Sequence, residues 1–242
     1  MPEGRFPTTR LSAIAGIRQT DPVIRTRSLD TLAAAYWKPV YKYIRVKWGK
    51  SNEDAKDLTQ AFFTKALEKE FFASFDPVRG RFRTFLRTCL DGFLANEEKS
   101  GARIKRGGDV VHLPLEFETA DGELVAAEIP SGEDLDKYFD AEWVRHLFAL
   151  TVEALRQDCA SRGRDVVFEV FEKYDLEDPG TERLTYQKLG DRMGLPASTV
   201  TNHLSVARRE FRRILLDKLK EITATDEEFR REARYLLGHD PP

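Results

Sequence analysis

Apolar residues recur at intervals of three and four along almost the whole chain, and this spacing predicts amphipathic α-helices rather than strands. The series between residues 29 and 44 is one example, and Pro39 inside it predicts a break or a kink. Further helices are expected over 52–69, 81–99, 138–155, 166–174 and 225–237. Ser51 is followed by acids in the first turn, which is typical of a capped helix start. The pattern predicts an all-α fold.

Residues 108–137 interrupt the helical pattern. Apolar residues alternate from Val111 to Phe117, and Asp121-Gly122 is a turn signal typical of a hairpin. Pro114 argues against a central strand, because proline cannot donate to the hydrogen-bond ladder. A short hairpin and an acidic, irregular linker therefore both remain open.

Charge is distributed unevenly along a chain whose formal net charge is only −2. Residues 79–106 hold eight Lys or Arg against three acids, and residues 183–213 hold seven against two. Between them, residues 109–142 hold eleven Asp or Glu and one Lys. Basic blocks of this kind are a common footprint of polyanion binding, although solvated helix faces also produce them. The acidic segment is expected to repel nucleic acid while both ends bind it.

Residues 184–204 have the local chemistry of a helix-turn-helix. Thr185 can cap a short helix, and Gly190 permits a close approach between helices. Gly194 suits a turn with left-handed backbone, and Pro196 suits the start of the next helix. An ordinary helical hairpin is the alternative interpretation.

The helix after this turn has one apolar seam and one polar face. Its seam holds Val200, Leu204, Ala207, Phe211 and Leu215. The opposite face consists of short polar and basic side chains, namely Ser198, Thr201, Asn202, Ser205, Arg208 and Arg209. Such a face fits the major groove of DNA, with Asn202 placed to read base edges and the arginines placed to contact phosphates.

Several function classes are disfavoured by the sequence. It has no apolar run long enough to span a membrane and no signal peptide, so a cytoplasmic protein is expected. The two cysteines cannot build a disulfide framework, and no cofactor or metal motif is found. We do not expect an enzyme. A stand-alone helix-turn-helix regulator and a metal-dependent DNA enzyme that uses the acidic carboxylates are the alternatives to the function considered next.

Three stretches resemble bacterial RNA polymerase sigma factors of the extracytoplasmic-function type. Residues 52–63 are similar to the region 2 helix that binds the coiled coil of the largest polymerase subunit. Residues 75–86 are similar to the loop and helix that melt and read the −10 element, and the helix-turn-helix is similar to region 4, which reads the −35 element. The resemblance covers most of residues 25–107 and 141–222.

The resemblance implies two domains joined by an acidic linker. The expected layout is an N-terminal extension (1–20), a region 2-like helical bundle (21–107), the linker (108–137), a region 4-like domain (138–222) and a C-terminal helical extension (223–242). The linker and the C-terminal extension are not part of the minimal family pattern. Core RNA polymerase, through its coiled coil and its flap, and promoter DNA are the implied partners, and an anti-sigma factor or a Ser/Thr kinase is a further candidate.

The resemblance also assigns residues to surfaces. The polymerase-binding face is expected to hold Asp54, Asp57, Gln60 and Thr64, which lie on an arc facing away from the apolar seam of their helix. The −10 contacts are expected to be Phe75, Arg79, Arg83, Arg87 and Asn96, with Phe75 as an exposed aromatic that stacks on an unpaired base. The −35 contacts are the six polar residues of the recognition helix listed above.

Two positions depart from the family pattern, and a third suggests regulation. Lys56 stands where many members have an acid, and Asp91-Gly92 stands where many have Asn. Thr59 lies beside Asp57, and some similar sigma factors are switched by phosphorylation of a threonine in this region. Thr59 is therefore a candidate phosphosite, and the alternative is that it packs with its hydroxyl bonded to a carbonyl one turn back.

Overall fold

In the computed structural model, the residues described are 12–68, 71–99, 115–125, 135–177 and 184–239. Within these ranges all regular structure is helical, which confirms the predicted all-α class. The helices are α1 (Ala13–Gly16), α2 (Pro22–Lys47), α3 (Asn52–Glu68), α4 (Phe82–Lys99), α5 (Phe117–Val125), α6 (Leu135–Ser161), α7 (Asp165–Phe171), α8 (Tyr186–Met193), α9 (Ala197–Glu221) and α10 (Asp226–Leu237). A short 3-10 turn covers Phe71–Ser74, and a π-helical turn over Glu172–Leu176 follows α7.

The helix ends follow the local sequence chemistry. Asp21 caps α2 by accepting a hydrogen bond from the Val23 amide at 2.8 Å, and Ser51 caps α3 through the Asp54 amide at 3.1 Å. The expected break at Pro39 is absent, since α2 continues through it. Its neighbours Tyr36 and Val40 are buried, so tertiary packing outweighs the hydrogen bond that proline cannot make.

The chain divides into two compact units. Unit 1 comprises Met1–His146 together with Leu219–Pro242, and unit 2 comprises Leu147–Lys218. This division differs from the sequence-based layout in two respects. The described parts of the segment expected to be a linker and of the C-terminal extension belong to unit 1, and the second unit is shorter than the predicted 138–222 domain.

Aromatic side chains dominate the core of unit 1. The ring of Tyr36 in α2 lies 5.6 Å from that of Phe82 in α4, measured between centroids. Phe62 in α3 lies 5.7 Å from Phe93 in α4. These residues are almost fully buried and come from helices predicted on periodicity alone. The apolar stripes identified in the sequence are therefore the faces that build this core.

Part of the predicted linker is the helix α5. The Asp121-Gly122 pair lies inside this helix, so the expected hairpin turn is wrong at that position. Phe117, Ala120 and Leu124 are buried, and Phe117 packs 5.3 Å from Trp37. Spacing of three and four buries one face of a helix, and this burial outweighs the local turn signal. The alternating residues 111–114 lie outside the described ranges.

The acidic segment neutralises basic side chains of its own unit. Lys42 pairs with Glu142 at 2.6 Å, with both side chains buried, and with Glu123 at 2.7 Å. Arg45 pairs with Asp121. Glu142, Glu123 and Asp121 are therefore charge partners within the folded unit, whereas Glu118 of the same segment is exposed.

His146 is held neutral inside unit 1. Its side chain is 6% exposed, and Nε2 lies 2.7 Å from the Ala34 carbonyl oxygen. Burial lowers the pKa of His146 from 6.5 to about 4, because the charged imidazolium would lose its hydration. The hydrogen bond to the Ala34 carbonyl and the charge of Glu123 oppose this lowering of the pKa, whereas the charges of Lys38 and Lys42 add to it.

We expect the stability of unit 1 to fall as the pH decreases from 6.5 to about 4. The unfolded chain takes up the proton at a higher pH than the folded protein does, so acid favours unfolding in this window. The loss is at most about 3 kcal/mol. Urea titrations followed by tryptophan fluorescence measure it, because Trp37, Trp48 and Trp143 all lie in unit 1. His146→Gln should reduce the dependence of the unfolding free energy on pH in this window. An unchanged pH dependence in this variant would mean that His146 is not the group responsible.

Unit 2 has two adjoining apolar clusters. One joins α6, α7 and α9 through Leu155, Phe168, Phe171 and Ala207. The other joins α7, α8 and α9 through Val170, Leu189, Val200 and Leu204. The predicted seam of α9 thus packs against both clusters. Across the described ranges, none of the helices combines the length and the apolar character that crossing a lipid bilayer requires.

Candidate nucleic-acid interface

The turn between α8 and α9 has the geometry that its sequence predicts. The Thr185 side chain accepts a hydrogen bond from the Lys188 amide at 3.2 Å. Gly194 has φ 68° and ψ 30°, the left-handed conformation that favours glycine. At Gly190, a Cβ atom would lie 2.5 Å from the Leu195 carbonyl oxygen, so only glycine fits without backbone movement. The close approach at Gly190 therefore holds the end of α8 against the turn that leads into α9.

The polar face predicted for α9 is exposed. All six predicted −35 contacts have exposed side chains, while Val200, Leu204, Ala207 and Leu215 of the same helix are buried. The hydroxyls of Thr201 and Ser205 each donate to a carbonyl one turn back, at 3.0 and 2.9 Å. Each oxygen retains capacity to accept a hydrogen bond. The face is short, polar and solvent-accessible.

Arg208 and Arg209 are not equivalent. Arg208 binds Asp175 through Nε at 2.9 Å and Nη2 at 2.7 Å, and this pairing raises the pKa of Arg208. It is therefore tied to the π-helical turn in this conformation, although its side chain is 46% exposed. The Arg209 side chain is 73% exposed, with the nearest Glu210 oxygen 3.8 Å away. Arg209 is the more accessible of the two side chains.

The α3 surface keeps three of its four predicted polar residues accessible. Asp54 is exposed, and Asp57 and Gln60 are half-buried. Lys56 pairs with Glu53 at 3.1 Å. Thr64 is 7% exposed, and its hydroxyl donates to the Gln60 carbonyl at 3.0 Å. Its assignment to the exposed face is therefore wrong.

Thr59 has the alternative environment that the sequence left open. The side chain is fully buried, and its hydroxyl donates to the Ala55 carbonyl oxygen at 2.7 Å. A kinase needs access to this oxygen, and the folded helix gives none. The structure therefore contradicts the phosphosite interpretation for this conformation.

The predicted −10 residues are mostly covered. Phe75 is 3% exposed and packs 5.2 Å from Phe82, so the expected exposed aromatic is wrong. Arg83 is 1% exposed, and Arg87 pairs with Asp136 at 2.7 Å. Two other predicted residues remain accessible: Arg79, whose side chain is 87% exposed, and Asn96.

The cover over Arg83 comes from α10, at the far end of the chain. Glu232 pairs with Arg83 at 2.5 Å and with Arg81 at 3.4 Å. Glu228 accepts a hydrogen bond from the Phe82 amide, the first of α4, at 2.8 Å. On the inner side, Asp140 lies 2.9 Å from Arg83 Nε. Sequence analysis missed these acids as partners, because the α10 pattern shows helicity but not which surface the helix covers.

Asp91 has a structural role. Lys47 donates to both of its carboxylate oxygens at 2.9 Å, and the Trp48 indole donates to it at 3.3 Å. The neighbouring Gly92 is exposed. Within the described ranges, no group of three or more His, Cys, Asp or Glu side chains is arranged to hold a metal ion.

Comparison with known proteins adds no identification. No family model, no curated protein and no solved structure matches this chain.

Proposed function

We propose that the protein is a sigma factor that binds core RNA polymerase and directs promoter-specific initiation of transcription in the cytoplasm. One observation carries the proposal: unit 2 presents a helix-turn-helix whose second helix buries an apolar seam and exposes a short polar face. In this proposal the face reads the −35 element and the accessible acids of α3 bind polymerase. The sequence resemblance supplies both assignments.

The α3 surface supports docking on a basic partner helix. Asp54 and Asp57 are separated by three positions, so they lie on the same side of the helix. Within the described residues Asp57 has no ion pair, and Lys56 is engaged by Glu53. A carboxylate that is accessible and unpaired is available to an incoming cation.

The direct test is association with core polymerase. The purified chain is mixed with core enzyme and analysed by gel filtration, and the holoenzyme fraction is used to select promoters from a random DNA library. Co-elution followed by transcription from the selected DNA is the expected result. A chain that neither co-elutes nor supports initiation is not a sigma factor.

A stand-alone DNA-binding regulator is the second candidate. It is favoured by the contrast between the two units, since the recognition helix of unit 2 is accessible while Arg83 of unit 1 is covered. Such a regulator binds duplex DNA tightly without polymerase, and added core enzyme leaves that binding unchanged. A sigma factor instead gains promoter affinity when the polymerase is added.

We expect substitutions on α9 to separate base reading from phosphate contact. Asn202→Ala should change sequence preference, because Asn202 is exposed and its amide is not used within the described structure. Arg209→Ala should weaken binding to all sequences and reduce the salt slope by about one. Both variants are measured on the selected promoter and on a scrambled one. Identical behaviour of the two variants on both DNAs would contradict the assignment.

Arg208→Ala is the informative comparison for Arg209→Ala. It removes the same charge from the neighbouring position of the same helix, but Arg208 is bound to Asp175. We expect a smaller effect on the salt slope than for Arg209→Ala and a larger effect on the stability of unit 2. A larger salt effect at Arg208 would mean that the arginine leaves Asp175 when DNA binds.

A further inference from the structure

The helix α10 buries an unusual face. Its fully buried residues are Glu228, Glu232 and Ala233, while its larger apolar residues Phe229, Leu236 and Leu237 are only half-buried. Helices that complete a core ordinarily bury large apolar residues, which contribute most of the stabilisation. Buried ion pairs contribute little net stability, because the desolvation of both charges offsets their attraction. The face of α10 is thus suited to recognising a cationic surface rather than to filling a core.

The surface under α10 has the chemistry of an anion site. Arg81 and Arg83 supply two guanidinium groups, and the Phe82 amide is one of the N–H groups left without a helical partner at the start of α4. Glu232 forms ion pairs with both arginines, and one oxygen of Glu228 accepts a hydrogen bond from the Phe82 amide. The other oxygen of Glu228 accepts a hydrogen bond at 2.8 Å from the amide of Ala224, which precedes the N-cap of α10.

The carboxylates do not saturate this site. Within the described structure, Nη2 of Arg83 is buried without a hydrogen-bond partner. Burial also raises the pKa of Glu232 above its ordinary value, although Arg83 and Arg81 oppose this shift. A DNA phosphodiester carries one negative charge and two non-bridging oxygens, as a carboxylate does, and it is not held in place by a helix, so it can turn toward guanidinium donors that α10 leaves open.

The contact between α10 and the start of α4 is partly exposed to solvent at its outer edge. The Tyr235 ring lies 4.4 Å from the Arg83 guanidinium carbon and 5.1 Å from that of Arg81, and this side chain is 47% exposed. Arg231 donates to the Gly80 carbonyl oxygen at 3.2 Å. The connection from α9 consists of residues 222–225, which is a short tether. Release of α10 would uncover Arg81 and the Phe82 amide and would leave Arg83 with Asp140 as its remaining acidic partner.

We propose that α10 is an internal competitor of nucleic acid: Glu228 and Glu232 occupy the site at the start of α4 that a DNA phosphate takes when α10 is released. This inference rests on the proposed function, because the site that α10 covers belongs to the proposed −10 surface of unit 1. In this proposal the occupant of the released site is a single DNA strand. The exposed Arg79 adds a third cation two positions before Arg81, and in the proposed function this segment meets the melted −10 element. Binding of DNA at this site and docking of α10 are mutually exclusive.

Glu232→Gln tests the competition, with Glu227→Gln as the matched control. Both substitutions remove one charge from α10, but Glu227 is exposed and Glu232 is 3% exposed. The full-length proteins are titrated against a fluorescent 20-nucleotide single strand of mixed sequence, without polymerase. We expect Glu232→Gln to bind at least tenfold more tightly than wild type, and Glu227→Gln to bind within twofold of it. Equal affinities for all three proteins, including no binding by any, would overturn the proposal.

Hydrogen exchange tests whether α10 is the segment that is released. In Glu232→Gln, and in wild type with the strand added, amides of residues 226–237 should exchange at least tenfold faster. Tyr235→Ala should act in the same direction, and its half-exposed position makes loss of folding a small risk. Tighter DNA binding with α10 still protected would overturn the mechanism. If the protein fails to co-elute with polymerase but shows these changes, the proposed function is overturned and this inference stands.

Discussion

Gly190→Ala is expected to destabilise unit 2 by about 3 kcal/mol. The added Cβ would lie 2.5 Å from the Leu195 carbonyl oxygen, a backbone atom in the turn, so relief requires α8 and α9 to separate. That separation opens the cluster that holds Leu189, Val200 and Leu204. Hydrogen exchange of residues 186–204 is the suitable measurement, since the tryptophans lie in unit 1 and report on that unit.

Gly122→Ala provides the matched control. Gly122 is also inside a helix, but a Cβ atom there meets nothing within 4 Å. Alanine is the better helix former by about 1 kcal/mol, so this variant should be as stable as wild type or more stable. A Gly190→Ala protein with normal protection of the turn would mean that the helices are packed less closely than described.

Asp57→Arg is expected to weaken association with core polymerase on the order of a hundredfold while the protein stays folded. Reversing a charge in a contact places like charges against each other, which costs several kcal/mol. Asp57 is half-buried and has no ion pair within the described residues, so the substitution breaks no internal partner. Binding is measured by gel filtration and by titration of labelled protein with core enzyme.

Two further variants decide whether the effect is local. Lys56→Glu adds an acid beside Asp57 and removes the cation that pairs with Glu53, so it should strengthen binding. Glu118→Arg makes the same charge reversal as Asp57→Arg at an exposed position of α5 and should leave binding unchanged. Equal losses in Asp57→Arg and Glu118→Arg would mean that net charge, rather than the α3 face, governs the association.

The local sequence determined the helix-turn-helix. Thr185, Gly190 and Gly194 each act on backbone groups within five residues, and all three have the predicted geometry. The polar face of α9 was also predictable, because the period of a helix places Asn202 and Arg209 away from the buried seam. Helix existence, caps and face follow from interactions that are close in sequence.

Tertiary packing decided the outcome at positions where local signals were ambiguous. Asp121-Gly122 favours a turn locally, yet burial of Phe117 and Leu124 places the pair inside α5. Pro39 favours a break, yet α2 continues because its flanking residues lie in the core. In both cases the free energy of burying apolar surface exceeds a local preference of about 1 to 3 kcal/mol.

Long-range charge pairing lay outside the reach of sequence analysis. Arg83 looked like a free cation in a basic block, but its partner Glu232 is 149 positions away, and the Phe82 amide meets Glu228 across 146 positions. Charge composition counts these groups without telling which of them meet. Periodicity fixes the side of a helix on which a side chain lies, whereas only the packing of α10 on α4 decides whether solvent or a carboxylate faces it. The sequence therefore determined the helices and the recognition face, and the tertiary structure determined which basic residues remain available to a partner.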